Sequence, residues 1–99
     1  MGWKLKQIDG LISIARKAGF VIIGQDDLKG YSKKLYLILI DATAGKALRR
    51  EVEFLSQKND VTALEVEALG QSCGIENCKV IGIKNKAISE KIMEILKGV

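Results

Sequence analysis

The sequence predicts a layered α/β/α domain built on a small mixed or partly parallel sheet of about four strands. Three observations carry this expectation. Leu35-Tyr36-Leu37-Ile38-Leu39-Ile40 is an unbroken apolar run of strand length, the pattern of a strand covered on both faces. Segments of helical periodicity alternate with short apolar runs along the whole chain. Finally, the 99 residues are 47% hydrophobic, enough for a core without disulfide or metal staples and too few for a second domain. One domain over residues 1–99 is expected.

Leu5, Ile8, Leu11, Ile12, Ala15 and Ala18 recur at helical spacing, with Lys4, Gln7, Ser13, Arg16 and Lys17 on the other faces. A first amphipathic helix should therefore run to a stop at Gly19. Phe20 to Ile23 is a short apolar run, Gly24 a turn, and a brief helix from Gln25 should end at Gly30. Tyr31-Ser32-Lys33-Lys34 is the loop into the central strand, Leu35 to Ile40. Asp41-Ala42-Thr43 has N-cap chemistry for a helix from Ala44 to Lys58, with Ala44, Ala47, Leu48, Val52 and Leu55 as its inner stripe. After the Asn59-Asp60 turn come a short strand, Val61 to Leu64, and a short helix, Val66 to Ser72, with Gly74 at its end. Lys79 to Lys84 is the last strand. Ile88, Ile92, Ile95 and Leu96 then share one side of a closing helix from Lys86 to Lys97.

Lys and Arg number 16 against 12 Asp and Glu, a formal net charge of +4 that tilts the chain toward a polyanionic partner. Those charges are spread along the chain rather than gathered in a block. At 5% aromatic, base stacking on several exposed rings is not expected, so hydrogen bonds and phosphate contacts would have to carry any RNA binding. The chain has no His, which removes the commonest general base, zinc ligand and triad member. No phosphate-cradling glycine loop is present, since Gly70-x-x-x-Gly74 lacks both the pattern and the strand-then-helix context. Cys73 and Cys78 fit neither a Cys-x-x-Cys pair nor a four-ligand zinc pattern, and are expected as buried or semi-buried thiols. An enzyme, a cofactor and a metal are all unexpected. Met1-Gly2-Trp3-Lys4-Leu5-Lys6 lacks an apolar signal core, Lys6 sits where a myristoylation motif wants Ser or Thr, and no apolar run approaches membrane-spanning length. A cytoplasmic protein without membrane contact is the expectation.

The most informative stretch is Gly24-Gln25-Asp26-Asp27. It follows an apolar run and opens a helix with two adjacent carboxylates, groups suited to accept hydrogen bonds from a donor-rich partner such as a guanine edge. Acidic residues in a first turn are also favoured by the helix dipole whatever the function, by about 0.3 to 1 kcal/mol each. Both readings stand at this point.

Read in order, Ala15-Arg16-Lys17-Ala18-Gly19, Gly24-Gln25-Asp26-Asp27, the strand Leu35 to Ile40 with Asp41-Ala42, and Leu69-Gly70-x-x-x-Gly74 followed by Val80 and Ile83 resemble the ribosomal-protein L-seven-Ae/L-thirty-e family. Its bacterial ribosomal-protein-like members are most similar. The likeness covers residues 8 to 96, and the ordered combination is more specific than any one piece. It implies a three-layer α/β/α sandwich and binding of structured RNA of the kink-turn kind, a bent duplex flanked by sheared G·A pairs, in association with the ribosome.

In that family the helix start carries Asn then Glu, with Lys three residues later, meeting guanine edges and nearby phosphates. The matching positions here are Asp26, Asp27 and Gly30. A second family element, the loop that packs on an unstacked nucleotide, corresponds to Gly74, Ile75, Glu76, Asn77 and Cys78. The resemblance thus implies that Gly24, Gln25, Asp26 and Asp27 form one binding edge with Gly74, Ile75, Glu76 and Asn77.

Several residues depart from the family pattern. Asp27 keeps the acceptor but has one methylene less reach, Asp26 replaces an amide donor by a second negative charge, and Gly30 removes the cation. Lys29, Lys33 and Lys34 are the candidate substitutes, although one residue along a helix turns the side chain by about 100°. Ile75 reads as a core anchor or as a base clamp. A protein-interaction or ribosome-assembly module of the same fold, without kink-turn specificity, is the alternative function, with ribosomal or assembly proteins as partners.

Overall fold

The computed structural model describes residues 2–97, with side chains described from Lys6 onward, so the core position expected of Leu5 lies outside the described side chains. The elements follow as α1 (Gly2–Lys17), β1 (Val21–Ile23), α2 (Gln25–Gly30), β2 (Leu37–Asp41), α3 (Lys46–Asn59), β3 (Ala63–Val66), α4 (Leu69–Cys73), β4 (Val80–Ile83) and α5 (Lys86–Lys97). Four strands form one mixed sheet in the order β1-β4-β2-β3. β2 runs parallel to β3 and antiparallel to β4, which also pairs antiparallel with β1.

Successive side chains of a strand point to opposite faces, so the apolar run of β2 feeds two cores at once. Leu37 and Leu39, with Ile81 and Ile83 of β4, face Ile8 and Ile12 of α1, Leu69 of α4 and Ile92 of α5. Ile38 and Ile40, with Val80 and Ile22, face Leu28 of α2 and Val52 and Leu55 of α3. Every residue of β2 is buried. The result is the α/β/α sandwich with a four-stranded mixed sheet that the alternation of elements predicts.

Gly19 does close α1, at a φ of 79°, with Gly19 and Phe20 N–H groups returning to the carbonyls of Arg16 and Ala15. Other expectations shift. β2 begins at Leu37 rather than Leu35, because Leu35 instead packs into the core beside α2 while Tyr36 donates to the Ile83 carbonyl. β3 covers Ala63–Val66 rather than starting at Val61, because its register pairs Ile38 with Ala63 and Asp41 with Val66. With Val66 in the sheet, the following helix cannot begin there and runs from Leu69. β4 is trimmed to Val80–Ile83.

Asp41 is not the N-cap of α3. That helix starts at Lys46 behind Gly45 with no side-chain cap, and Asp41 ends β2 with its carboxylate turned elsewhere. On α3, Val52 and Leu55 are buried and Leu48 half-buried, but Ala47, rotated about 100° from Leu48, is exposed. Ala18 is likewise exposed, beyond the end of α1. Among the described residues no helix is long and apolar enough to cross a membrane.

Candidate functional site

β1 leaves the sheet at Gly24, whose N–H donates to the Val80 carbonyl at 3.1 Å. β2 leaves beside it, where the Asp41 N–H donates to the Lys79 carbonyl at 2.8 Å, and the Ala42 N–H reaches Val66 at 2.9 Å. One end of the sheet therefore gathers the start of α2, the Asp41-Thr43 turn, the entry to α4 and the segment that leads from Gly74 into β4. These pieces are far apart in sequence. Strand pairing alone puts them side by side.

Gly24 has φ 92° and ψ 157°, a conformation essentially reserved for glycine, and it turns the chain from β1 directly into α2. The helix lies close over the sheet because Gly82 carries no side chain: a Cβ there would stand 2.6 Å from Leu28 Cδ1. With Leu28 facing inward, Gln25 and Lys29 share one flank of α2 and Asp27 and Tyr31 the other. Asp26 and Asp27 are exposed in the first turn.

The Gln25–Lys29 flank is already occupied within the chain. Gln25 Nε2 donates to Glu51 Oε2 of α3, and Lys29 Nζ lies 2.5 Å from Glu51 Oε1. Lys29 thus faces α3 and does not stand beside Asp26 and Asp27. Lys33 and Lys34 follow α2 toward the opposite end of the sheet, where Tyr36 pairs with Ile83, and Lys34 Nζ sits 5.5 Å from the centre of the Tyr36 ring. The structure does not bring these three lysines together at the helix start.

The second element is the loop after α4. Gly74 caps that helix with φ 73°. Ile75 is half-buried and packs against the core on the α1 side, so of its two readings the structure supports the core anchor. Glu76 and Asn77 are exposed, and with Thr43, Gln71 and Lys79 they line a depression of about 580 Å³. Close contact holds the loop against α4: a Cβ on Gly70 would stand 2.8 Å from the Ile75 carbonyl oxygen.

Two residues pin α4 from other elements. Asp41 Oδ1 accepts the Leu69 N–H at 2.9 Å, while Oδ2 accepts the Thr43 N–H at 2.9 Å and the Thr43 hydroxyl. Lys79 Nζ donates to that hydroxyl at 2.7 Å and lies 3.7 Å from Asp41 Oδ2. The hydrogen bond from Thr43, together with those from the Leu69 and Thr43 N–H groups, outweighs burial and holds the Asp41 carboxyl down at about 2. At the other end of α4, Arg16 Nη1 donates to the Cys73 carbonyl at 2.6 Å. Sequence reading places Asp41 and Thr43 in a capping turn but assigns the cap to α3. An Asp ending an apolar run with Thr two residues later was the available signal, and the helix it serves is set by the fold.

No protein-family model and no curated protein matches the sequence. Solved structures do. A Giardia lamblia 15.5kD RNA binding protein superposes with a TM-score of 0.67 at 21% identity, over 100% of this chain and 88% of that one. A Bacillus halodurans protein of unknown function superposes with a TM-score of 0.80 at 18% identity, over 91% of this chain and 96% of that one. At such identities the likeness is one of fold. The sandwich described above is thus a fold that an RNA-binding protein also uses.

Cys73 and Cys78 are free and buried. Burial, and then the hydrogen bond with Cys73, pushes the Cys78 thiol up to about 11. Among the described residues no group of three or more His, Cys, Asp or Glu side chains is arranged to hold a metal ion.

Proposed function

We propose that this chain is a non-catalytic RNA-binding protein of the L-seven-Ae/L-thirty-e family that engages structured, kink-turn-like RNA, ribosomal RNA in the first instance, as a cytoplasmic ribonucleoprotein component. The observation that carries the reading is the placement of two separated segments, Gly24 to Asp27 and the Gly74 to Asn77 loop, at one end of the sheet. The fold shared with an RNA-binding protein supports it. In this reading Asp27 accepts from a guanine edge, while Glu76 and Asn77 border a displaced nucleotide beside the α4 loop. Lys79, engaged with Thr43 and Asp41, lies at the same end.

The test is binding of a kink-turn duplex against a plain duplex of equal length at low salt. Preference for the kink-turn, and its loss in Asp27→Ala, is the expected result. Equal affinity for the two duplexes would remove the kink-turn reading.

A second reading is favoured by the engagement of Gln25 and Lys29 with Glu51 and by the glycine at position 30. With those donors withdrawn from the helix start, the same edge would serve as a protein-interaction or ribosome-assembly surface. Complexes captured on the chain that survive nuclease treatment would select this alternative.

A further inference from the structure

A groove of about 580 Å³ runs along the free edge of β1, between that strand and α2, with Asp26, Asp27, Gly30, Tyr31 and Lys84 in its walls. Its two ends differ chemically. Asp26 and Asp27 stand near the Gly24 end. Lys84, whose N–H donates to the Phe20 carbonyl at 2.7 Å, marks the other end, roughly 13 Å away along an extended strand. There its Nζ lies 5.8 Å from the centre of the Tyr31 ring. Between them Gly30 leaves the groove open, since a Cβ on it would meet nothing within 4 Å.

The other lysines near α2, Lys29, Lys33 and Lys34, are not among the residues that line the groove. Lys29 pairs with Glu51, and Lys34 covers Tyr36. Lys84 is the basic residue among those lining this groove. An acceptor pair at one end with a cation and an aromatic ring at the other is complementary to a nucleotide segment, whose base edge donates and whose phosphate accepts.

We propose that Lys84, with Tyr31, forms a phosphate-binding subsite that replaces the cation missing at Gly30 and extends the RNA-binding edge along β1. The inference rests on the RNA-binding reading above and deepens it. One strand of the bound RNA lies in the groove, with its base edge toward Asp26 and Asp27 and the adjoining backbone phosphate on Lys84.

The experiment measures affinity of the full chain for a kink-turn duplex and for a plain duplex of equal length across a series of NaCl concentrations, for the wild type and for K84Q, K84M, K84R and K91Q. Loss of one phosphate contact should lower the slope of log K against log salt by about 0.7 to 0.9 and weaken low-salt binding about three- to tenfold in K84Q. K84M, which keeps the aliphatic stem beside Tyr31, should show the same loss, and K84R should restore the slope. K91Q, a change on α5 in the opposite layer, should alter neither quantity. If the wild type prefers the kink-turn but K84Q and K84M keep its slope, the groove proposal is overturned and the RNA-binding reading stands. If the wild type shows no such preference, both fall.

Discussion

Asp41 Oδ1 accepts the Leu69 N–H at 2.9 Å across 28 residues of sequence, tying the end of the central strand to the first residue of α4. Through that bond a strand residue determines where the loop from Gly74 to Cys78 begins its path. The cap is supplied from another element because Ala68, which precedes the helix at φ 54°, has no side-chain acceptor of its own.

Asp41→Ala should destabilise the protein by about 1 to 3 kcal/mol at neutral pH, since it leaves the buried Leu69 N–H without an acceptor. The pH dependence has a definite sign. The folded carboxyl lies at about 2 and the unfolded one at 3.8, so the stabilisation is present above pH 3.8 and is lost as pH falls through 2. Urea unfolding of the wild type at several pH values should show that decline, and the variant should lack this part of it. An identical acid profile in both would remove the assigned role.

Gly70→Ala should cost about 1 to 3 kcal/mol by overpacking. The clash is with a backbone atom, the Ile75 carbonyl oxygen 2.8 Å from the new Cβ, so the loop has to move as a unit. Denaturant midpoints measure the cost. Hydrogen exchange should localise the loosening to residues 75–78; a change confined to α5 would contradict the account.

Glu51→Gln should change stability by less than about 1 kcal/mol, because Lys29 is largely exposed and such pairs contribute little. If the edge binds RNA, the freed Lys29 and the lost carboxylate should raise affinity about two- to threefold at low salt. Decreased affinity would mean that the Gln25–Glu51–Lys29 cluster instead holds α2 in its binding position.

Cys73 and Cys78 should react slowly with a disulfide reagent in the folded protein, and rapidly once denatured. Both are buried, and the Cys78 thiol at about 11 stays protonated at neutral pH, whereas the thiolate is the reacting species. Fast titration of either thiol under native conditions would show that the loop opens readily.

Much of the fold was legible from local pattern. The run through Ile38 and Ile40 announced a strand with two covered faces, and Gly19, Gly24, Gly30 and Gly74 marked turns or ends of helices. Boundaries near Asp41 and Val66 were not, because a residue joins a strand when a partner is in register, and pairing across 25 residues leaves no local trace. The same holds for Lys29. Its type and position on α2 are readable, but its direction depends on Glu51, which belongs to a helix placed over the same face of the sheet.

The sequence by itself determined the order of helices and strands, the two-faced central strand and the residue types at the helix start, all of which follow from periodicity and backbone preference within a few residues. Only the tertiary structure decided which of them meet. Antiparallel pairing of β1 and β2 with β4 brings Gly24 and Asp41 to the same end of the sheet, turns the Asp41 carboxylate onto α4, and sets Lys84 rather than Lys29 in the groove beside Asp26 and Asp27. Those are contacts between residues distant in the chain, and strand register and layer packing create them.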